Sequence, residues 1–291
     1  MKIALVGYGN IGRAVIAAAE KAPDVELVGI VRRAPGKVGD YKVVTDIADL
    51  PAFDVAVLCT PSRSVPDLAD TLLRKGISTV DSFDIHGDIP KVHARLGEAA
   101  KAGNAVSVLS AGWDPGSDSV IRALLLAAAP WGITHTNFGP GMSMGHSVAV
   151  RAIPGVQDAL SMTIPKGESL HRRMVYVKGD GSRPFDEVAA AIKADAYFVH
   201  DETHVIEVDD VSAYRSMAHG VLLERIGVSA DAQNQRFSFT MAIDNPALTG
   251  QVMLSCARAA TRQQPGCYTM IELPMIDLLP GERAEHIRKL V

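Results

Sequence analysis

Residues 2–33 read KIALVGYGNIGRAVIAAAEKAPDVELVGIVRR. An apolar run from Ile3 to Val6 leads into glycines at 7, 9 and 12. Apolar residues at helical spacing follow: Ile11, Ala14, Val15 and Ala18. A second apolar run, Val25 to Val31, comes at the distance that completes a strand–helix–strand unit. The G-x-G-x-x-G spacing is a weak signal alone. Between a strand and a helix it is the fingerprint of a dinucleotide-binding unit. Gly7 allows the tight turn, Gly9 lets the backbone approach a pyrophosphate, and Gly12 lets helix and strand pack closely. The helix begins near Asn10 and Ile11, and its free N–H groups and partial positive charge suit phosphates.

The end of the second strand selects the cofactor. An NAD site usually places Asp or Glu there, about 20 residues beyond the glycines, to bond the ribose 2′-hydroxyl. This chain has Arg32 and Arg33 instead, and from Val25 to Gly39 the only acid is Glu26, early in the strand. A carboxylate would repel a 2′-phosphate, whereas two guanidiniums would bind it. The expected cofactor is NADP(H) rather than NAD(H).

The rest of the chain bounds what surrounds this unit. Its 291 residues suffice for one large or two modest domains. Apolar residues make up 47% and charged residues 21%, as in ordinary globular proteins. A net charge of −4 provides no basic surface for nucleic acid or an anionic membrane. No apolar run approaches the roughly 18 residues that mark a membrane span. The N-terminus enters the first strand at once, with no room for a signal peptide. Cys59, Cys256 and Cys267 are odd in number, widely spaced and without C-x-x-C spacing. That predicts reduced thiols in a cytoplasmic protein and no metal site.

After Arg33 comes a loop with Pro35, Gly36 and Gly39. Short apolar, β-branched segments then alternate with helical stretches. DVAVLCT (54–60), ISTVD (77–81) and AVSVLS (105–110) read as strands, and residues 66–75 and 89–102 as helices. This is the pattern of a Rossmann-type, doubly wound parallel sheet covered on both faces, an α/β domain over residues 1–116. From 117 the pattern changes. An apolar helix over 119–129 is followed by HTNFGPGMSMGHSVAV, LSMTIPKG, HRRMVYVKG, HVIEVDD, SMAHGVLLERIG and QRFSFTMAID, several of which alternate with period two. In HRRMVYV, Arg173, Val175 and Val177 share one face, and Arg172, Met174 and Tyr176 the other. A second, α+β domain with a one-sided antiparallel or mixed sheet is expected over 117–245. A helix from Asn245 to about Gln263 and the run CYTMIELPMIDLL should return 246–291 to the first domain.

In doubly wound sheets ligands bind beyond the carboxyl ends of the strands. Cys59 and Thr60-Pro61-Ser62-Arg63-Ser64 follow one such end, and the hydroxyls of Thr60, Ser62 and Ser64 and the backbone there are candidates to line the cofactor. Asp84 follows a second end, and Trp113 and Asp114 a third. Paired acids beside a cofactor suit a substrate ammonium. The alternative for Asp114 is a helix N-cap, a role that Ser117 could fill instead. The alternative for Asp84 is a solvated turn.

The segments VGYGNIGR, VDSFDIHGDIP, SAGWDPG, FGPGMSMGHS, IPGVQ and AHG, in this order over the whole chain, resemble the meso-diaminopimelate dehydrogenases. TVDxxDxHxDIP and GWDPG are far more specific than the glycine fingerprint. The resemblance implies reversible oxidative deamination of the D-centre of meso-2,6-diaminopimelate with NADP+. The product is L-2-amino-6-oxopimelate, which cyclises to tetrahydrodipicolinate. It also implies a homodimer contacting through the second domain. The chain is short after IPGVQ and resembles the compact variant of the family, associated with activity on other D-amino acids and 2-oxo acids. By this likeness Asp84 and Asp114 are substrate acids and Trp113 the adjacent aromatic. Phe138, Met144 and Gly145 fall in a loop closing over the substrate. Thr163, Arg173, His219 and Asn245 hold the carboxylate at the L-configured end.

The residue chemistry agrees in kind. Arg173 can pair bidentately with a carboxylate, and Thr163, His219 and Asn245 can add neutral bonds. Arg173 could equally be a surface strand residue, His219 a structural histidine, and Asn245 a helix cap ahead of Pro246. Hydride transfer needs a neutral amine, so a proton must leave first, and Asp84, Asp114 and His146 are its candidate acceptors. Two rival functions remain. One is another NADP-dependent reductase, of the dihydrodipicolinate reductase or aspartate dehydrogenase type. The other is an NADP(H)-sensing module without catalysis, which would not need the acids and Arg173 together.

Overall fold

The computed structural model describes residues 1–34, 36–215 and 218–291. Pro35, expected in the loop after Arg33, and Ser216 and Met217, from the stretch SMAHGVLLERIG, lie outside the described residues. In chain order the elements begin with β1 (Lys2–Val6), α1 (Asn10–Glu20), β2 (Glu26–Val31), β3 (Val43–Val44), β4 (Val55–Leu58) and α2 (Val65–Arg74). β5 (Ser78–Asp81), α3 (Ile89–Gly103), β6 (Val106–Val108) and α4 (Ser117–Ala128) follow. Next come β7 (Trp131–Phe138), β8 (Gly141–Ser143), α5 (Met144–Arg151), β9 (Val156–Gly167) and β10 (Leu170–Gly179). α6 (Phe185–Ala194), β11 (Glu202–Glu207), β12 (Ala218–Ser229) and β13 (Ala232–Asp244) precede α7 (Asn245–Ala260), β14 (Gly266–Tyr268) and α8 (Arg283–Leu290). The chain divides into two compact units, Met1–Ile121 with Pro246–Val291, and Arg122–Asn245.

The first unit is built on a seven-stranded sheet in the order β14-β6-β5-β4-β1-β2-β3, parallel throughout. Its strands are buried on both sides, which is why they read as continuous apolar runs rather than alternating ones. Ile3, Leu5, Val55 and Val57 point into a core shared with Val15 and Ile16 of α1 and Met253 and Ala257 of α7. Val6, Ala56 and Leu58 point the other way, onto Leu72 and Leu73 of α2 and Leu96 of α3. β3 and β14 were not expected as strands. Two or three residues carry no period, and β14 exists only because Gly266–Tyr268 lies in register with Val106–Val108.

The second unit holds two sheets, β11-β10-β9-β8 and β13-β12-β7. Alternation in HRRMVYV is realised: Arg173, Val175 and Val177 are buried, and Arg172, Met174 and Tyr176 half-buried. Of the two alternatives expected for this domain, the four-stranded sheet is the mixed one. β11 runs parallel to β10, because the unanticipated helix α6 carries the chain back between them. The hairpin joining β9 and β10 turns on Glu168 and Ser169, both at positive φ (52° and 68°). These are poor residues for such a turn. Asn137 compensates by accepting the Ser169 N–H at 3.0 Å, and the Ser169 hydroxyl accepts from Thr136 N at 2.7 Å.

Among the described residues no helix is long and apolar enough to cross a membrane, and no cluster of His, Cys, Asp or Glu could hold a metal. All three cysteines are free thiols, and burial pushes Cys256 and Cys267 up to about 12, out of nucleophilic range.

Candidate functional site

The glycine turn has the geometry a dinucleotide requires. Gly7 has φ +99°, and a Cβ there would lie 2.4 Å from the Cys59 carbonyl oxygen. A Cβ on Gly12 would lie 2.5 Å from the Gly7 oxygen, so α1 could not pack this close to the turn. Gly9 faces open space, with nothing within 4 Å of its would-be Cβ. No side chain caps α1 and no acid sits in its first turn, so the backbone N–H groups of Asn10, Ile11 and Gly12 keep their positive field for an anion.

Around this turn lie the other expected cofactor residues. Cys59 N donates to Val6 O at 2.7 Å, which sets the loop after β4 beside β1. The Thr60 hydroxyl is buried with no partner, and buried hydroxyls normally have one. Ser64 Oγ bonds Pro61 O at 2.7 Å, and Ser62 Oγ donates to Asp84 at 2.6 Å. The Arg32 guanidinium lies 5.6 Å from the Tyr8 ring centroid and Arg13 lies 5.5 Å from it, while Arg33 is exposed. Tyr8 and Arg13 escaped the sequence reading, although both stand inside VGYGNIGR. An apolar cleft lined by Val6, Val31, Ile47, Leu68 and Leu72 opens in the same unit. The orphaned Thr60 hydroxyl, the open face at Gly9 and the arginines together fit a phosphorylated dinucleotide.

The acids lie in this unit as well. Asp84 is three residues beyond β5, and Asp114 lies in the turn between β6 and α4 with its side chain 13% exposed. α4 starts at Ser117, so Asp114 is not its cap. His86 Nε2 stands 3.9 Å from Asp114 Oδ2, and Trp113 is buried. Asp81, read only as a strand residue, ties the two acid-bearing loops together. Its Oδ1 accepts Phe83 N at 2.9 Å and Ser110 N at 3.2 Å.

Burial pushes Asp81 up to about 6 from 3.8, against the pull of those two N–H bonds. Because the folded chain holds this proton more tightly than the unfolded chain, stability falls as pH rises from about 4 to about 6, and the loss persists above. Asp81→Asn keeps the acceptor and removes the charge. Its stability relative to the native chain should therefore grow through that window, by up to about 3 kcal/mol. Denaturant unfolding at pH 4, 5, 6 and 7.5 measures this, and parallel profiles would overturn it.

The second unit gathers a different set. Thr163 on β9 and Arg173 on β10 are register partners, and both are buried. Arg173 donates to Thr163 Oγ1 through one terminal nitrogen and to Asp201 Oδ2 at 2.6 Å through Nε. Its other terminal nitrogen lies 2.9 Å from His171 Nε2, which is itself 3.2 Å from Asp201 Oδ1. Burial alone would raise Asp201, but the bonds from His171 and Arg173 outweigh it and hold the carboxyl at about 2. His219 on β12 is buried, and its Nδ1 lies 2.8 Å from Gly220 N and 3.0 Å from Gly220 O. β8 relates it to Thr163: Gly141 pairs with Thr163 and runs so close to β12 that a Cβ would lie 2.6 Å from His219 Cα. Asn245 is buried at the first residue of α7, directly after Asp244, the register partner of Ala218.

Three expectations are corrected here. Phe138, Met144 and Gly145 do not lie in a loop. Phe138 ends β7, paired with Val221, and Met144 and Gly145 open α5. After the turn at Gly139 and Pro140 the chain pairs again as β8, so the only irregular backbone left is that turn. The Phe138 ring stands edge-on to His171 at 6.3 Å, with the Arg122 guanidinium 5.7 Å from its centroid.

His146 sits in the first turn of α5. Its Nδ1 lies 2.7 Å from Ser143 Oγ, and its ring meets Tyr197 and Phe198 edge-on. Burial first, then the Arg173 charge, pushes it down to about 3. Period-two spacing places His171 on the Arg173 face, so it was findable. Nothing local points to Asp201, which α6 brings in from 28 residues away.

Comparison with known proteins adds the following. The family described as diaminopimelic acid dehydrogenase C-terminal domain matches residues 112–173, and the CoA binding domain family matches residues 1–84. A meso-diaminopimelate D-dehydrogenase of Bacteroides fragilis is 60% identical over 296 residues, covering 100% of this chain and 99% of that protein. The solved structure of the Corynebacterium glutamicum DAP dehydrogenase in complex with DAP superposes with a TM-score of 0.92 at 32% identity, covering 100% of this chain and 99% of that one. An engineered D-amino acid dehydrogenase bound to NADP+ superposes with a TM-score of 0.91 at 30% identity, with the same coverage.

Proposed function

Because this chain belongs to the meso-diaminopimelate D-dehydrogenase family, we propose that it oxidises the D-centre of meso-2,6-diaminopimelate with NADP+, releasing ammonia. The product is L-2-amino-6-oxopimelate, in equilibrium with tetrahydrodipicolinate, and the reverse reaction is a reductive amination. The chain is thus an oxidoreductase acting on a CH–NH2 group. The observation that carries this reading is the 60% identity to the B. fragilis enzyme along the full length of both chains.

NADP+ supplies the hydride acceptor when bound. The backbone at Gly7, Gly9, Asn10, Ile11 and Gly12 would hold its pyrophosphate, and Arg32 and Arg33 its 2′-phosphate. Cys59, Thr60, Pro61, Ser62 and Ser64 would line the ribose and phosphates, and the apolar cleft beside Leu68 suits the adenine ring. Asp84 and Asp114 are assigned the amine of the D-centre. They bind it as the ammonium and take the proton that must leave before a hydride can. Trp113 gives the acids an apolar neighbour that excludes water. His146 is set aside as the base, since a ring held at about 3 and engaged with Ser143 is a poor acceptor near neutral pH. Thr163, Arg173, His219 and Asn245 are assigned the carboxylate of the L-centre. Phe138, Met144 and Gly145 are assigned the substrate wall.

The first unit would then serve as the dinucleotide-binding domain, and the second as the substrate-binding and dimerisation domain. A homodimer is supported by the three-stranded sheet, which leaves Trp131, Ile133 and Ile226 exposed together on one face. A cytoplasmic location fits the three free thiols.

The test is a substrate panel with NADP+: the meso, LL and DD isomers of diaminopimelate, D-alanine, and 2-oxo acids with ammonia and NADPH. NADPH and ammonia should form with the meso isomer and not with the LL isomer. Tight NADPH binding without turnover on any member would favour the sensing module instead. A reductase of the dihydrodipicolinate type would give no signal with any amino acid.

A further inference from the structure

We infer that Asp201 is a positioning residue for substrate recognition. Together with His171 it holds the Arg173 guanidinium in the plane from which that group engages a substrate carboxylate. The inference rests on the assignment of Arg173 to the L-centre carboxylate.

Arginine has a long side chain with several freely rotating bonds, so an arginine used for planar recognition needs something to fix it. Here the guanidinium is held at two nitrogens, by Asp201 at Nε and Thr163 at one terminal nitrogen, and its other terminal nitrogen lies 2.9 Å from His171 Nε2. Asp201 is the charged member, and its two oxygens divide the work. Oδ2 takes Arg173 Nε at 2.6 Å, and Oδ1 lies 3.2 Å from His171 Nε2. That one ring nitrogen either donates to Asp201 or accepts from Arg173, so the ring closes the cluster around the carboxylate and the guanidinium.

Asp201 is itself anchored. Its N–H donates to Phe198 O at 2.9 Å, and its carbonyl accepts the Thr203 hydroxyl at 3.2 Å. Phe198 is among the largest fully buried side chains, so the anchor reaches into the core under α6. The chemical consequence concerns charge. With its aspartate 2.6 Å away, Arg173 presents an almost neutral ion pair. The site then reads a carboxylate by directed N–H bonds more than by net positive charge.

Asp201→Ala should raise KM for meso-diaminopimelate by on the order of 10- to 100-fold, the scale expected when a binding group is displaced by about an ångström. kcat at saturation and NADPH affinity should stay close to those of the native enzyme. Asp201→Asn, which retains an acceptor for Nε without the charge, should recover part of the loss. In an Arg173→Ala background, adding Asp201→Ala should change KM no further, because Asp201 acts through Arg173.

If Asp201→Ala does not fold, Asp201→Asn carries the same cycle, since it keeps the shape of the side chain. An unaltered KM in both single variants overturns the inference, as does a full additional increase in the Arg173→Ala background. A wild-type enzyme that does not turn over meso-diaminopimelate overturns the functional assignment and this inference with it. Normal wild-type turnover with indifferent Asp201 variants overturns the inference alone.

Discussion

Asp84→Ala should lower kcat for meso-diaminopimelate by about 10²- to 10⁴-fold, the range associated with losing a group that handles a proton in the rate-determining step. NADPH affinity should change little. An ammonium at the D-centre must shed a proton before Cα can release hydride, and a carboxylate both binds the cation and accepts that proton. The structure places Asp84 and Asp114 on the two loops that Asp81 ties together, one after β5 and one after β6.

Asp84 also accepts a 2.6 Å bond from Ser62, in the loop assigned to the cofactor. An alanine there removes a charge and a loop contact together. Asp84→Asn separates the two, because it keeps an acceptor for Ser62 and loses the anion. If the charge matters, Asn and Ala should be similarly impaired in kcat, with NADPH binding best preserved in Asn. Near wild-type turnover in either variant would remove Asp84 from the mechanism and leave Asp114 as the acceptor.

The second large effect is expected for Arg32→Ala combined with Arg33→Ala. Each guanidinium–phosphate bond contributes about 1.5–3 kcal/mol, so losing both should raise KM for NADP(H) by about 10²-fold or more. KM for NAD(H) should shift only a few-fold, because NAD(H) has no 2′-phosphate to lose. Arg32 should account for the larger share. It is half-buried with its guanidinium over Tyr8, so less side-chain entropy is lost when the phosphate binds, whereas Arg33 is exposed. Arg13, on the same ring, remains in the double variant and should leave some residual preference for NADP(H). The ratio of the two Michaelis constants is the readout, and an unchanged NADP(H) KM would remove the arginines from the cofactor site.

How far the chain could be read without its structure varied from element to element. β1, α1 and β2 were readable because glycine spacing and apolar period are local codes, satisfied within thirty residues. HRRMVYV was readable because alternation along a strand is local too. Whether the second sheet was antiparallel or mixed stayed open, because the direction of β11 depends on α6 and strand direction leaves no trace in the strand itself. Phe138 and Met144 were placed in a closing loop by likeness to the family, where the chain makes one turn at Gly139 and Pro140 and pairs again.

The sequence by itself determined the doubly wound sheet, the glycine turn over the first helix, the arginines where an acid would select NAD, and two acids beyond the carboxyl ends of β5 and β6. All of these follow from spacing along the chain. Only the tertiary structure decided that Asp81 bridges the acid-bearing loops, that His146 is held near 3, and that Asp201 meets Arg173 from across a helix crossover. The physical reason is the same in each case. Desolvation and hydrogen bonding are set by neighbours that folding brings together, and a carboxylate's surroundings are not written in the residues beside it.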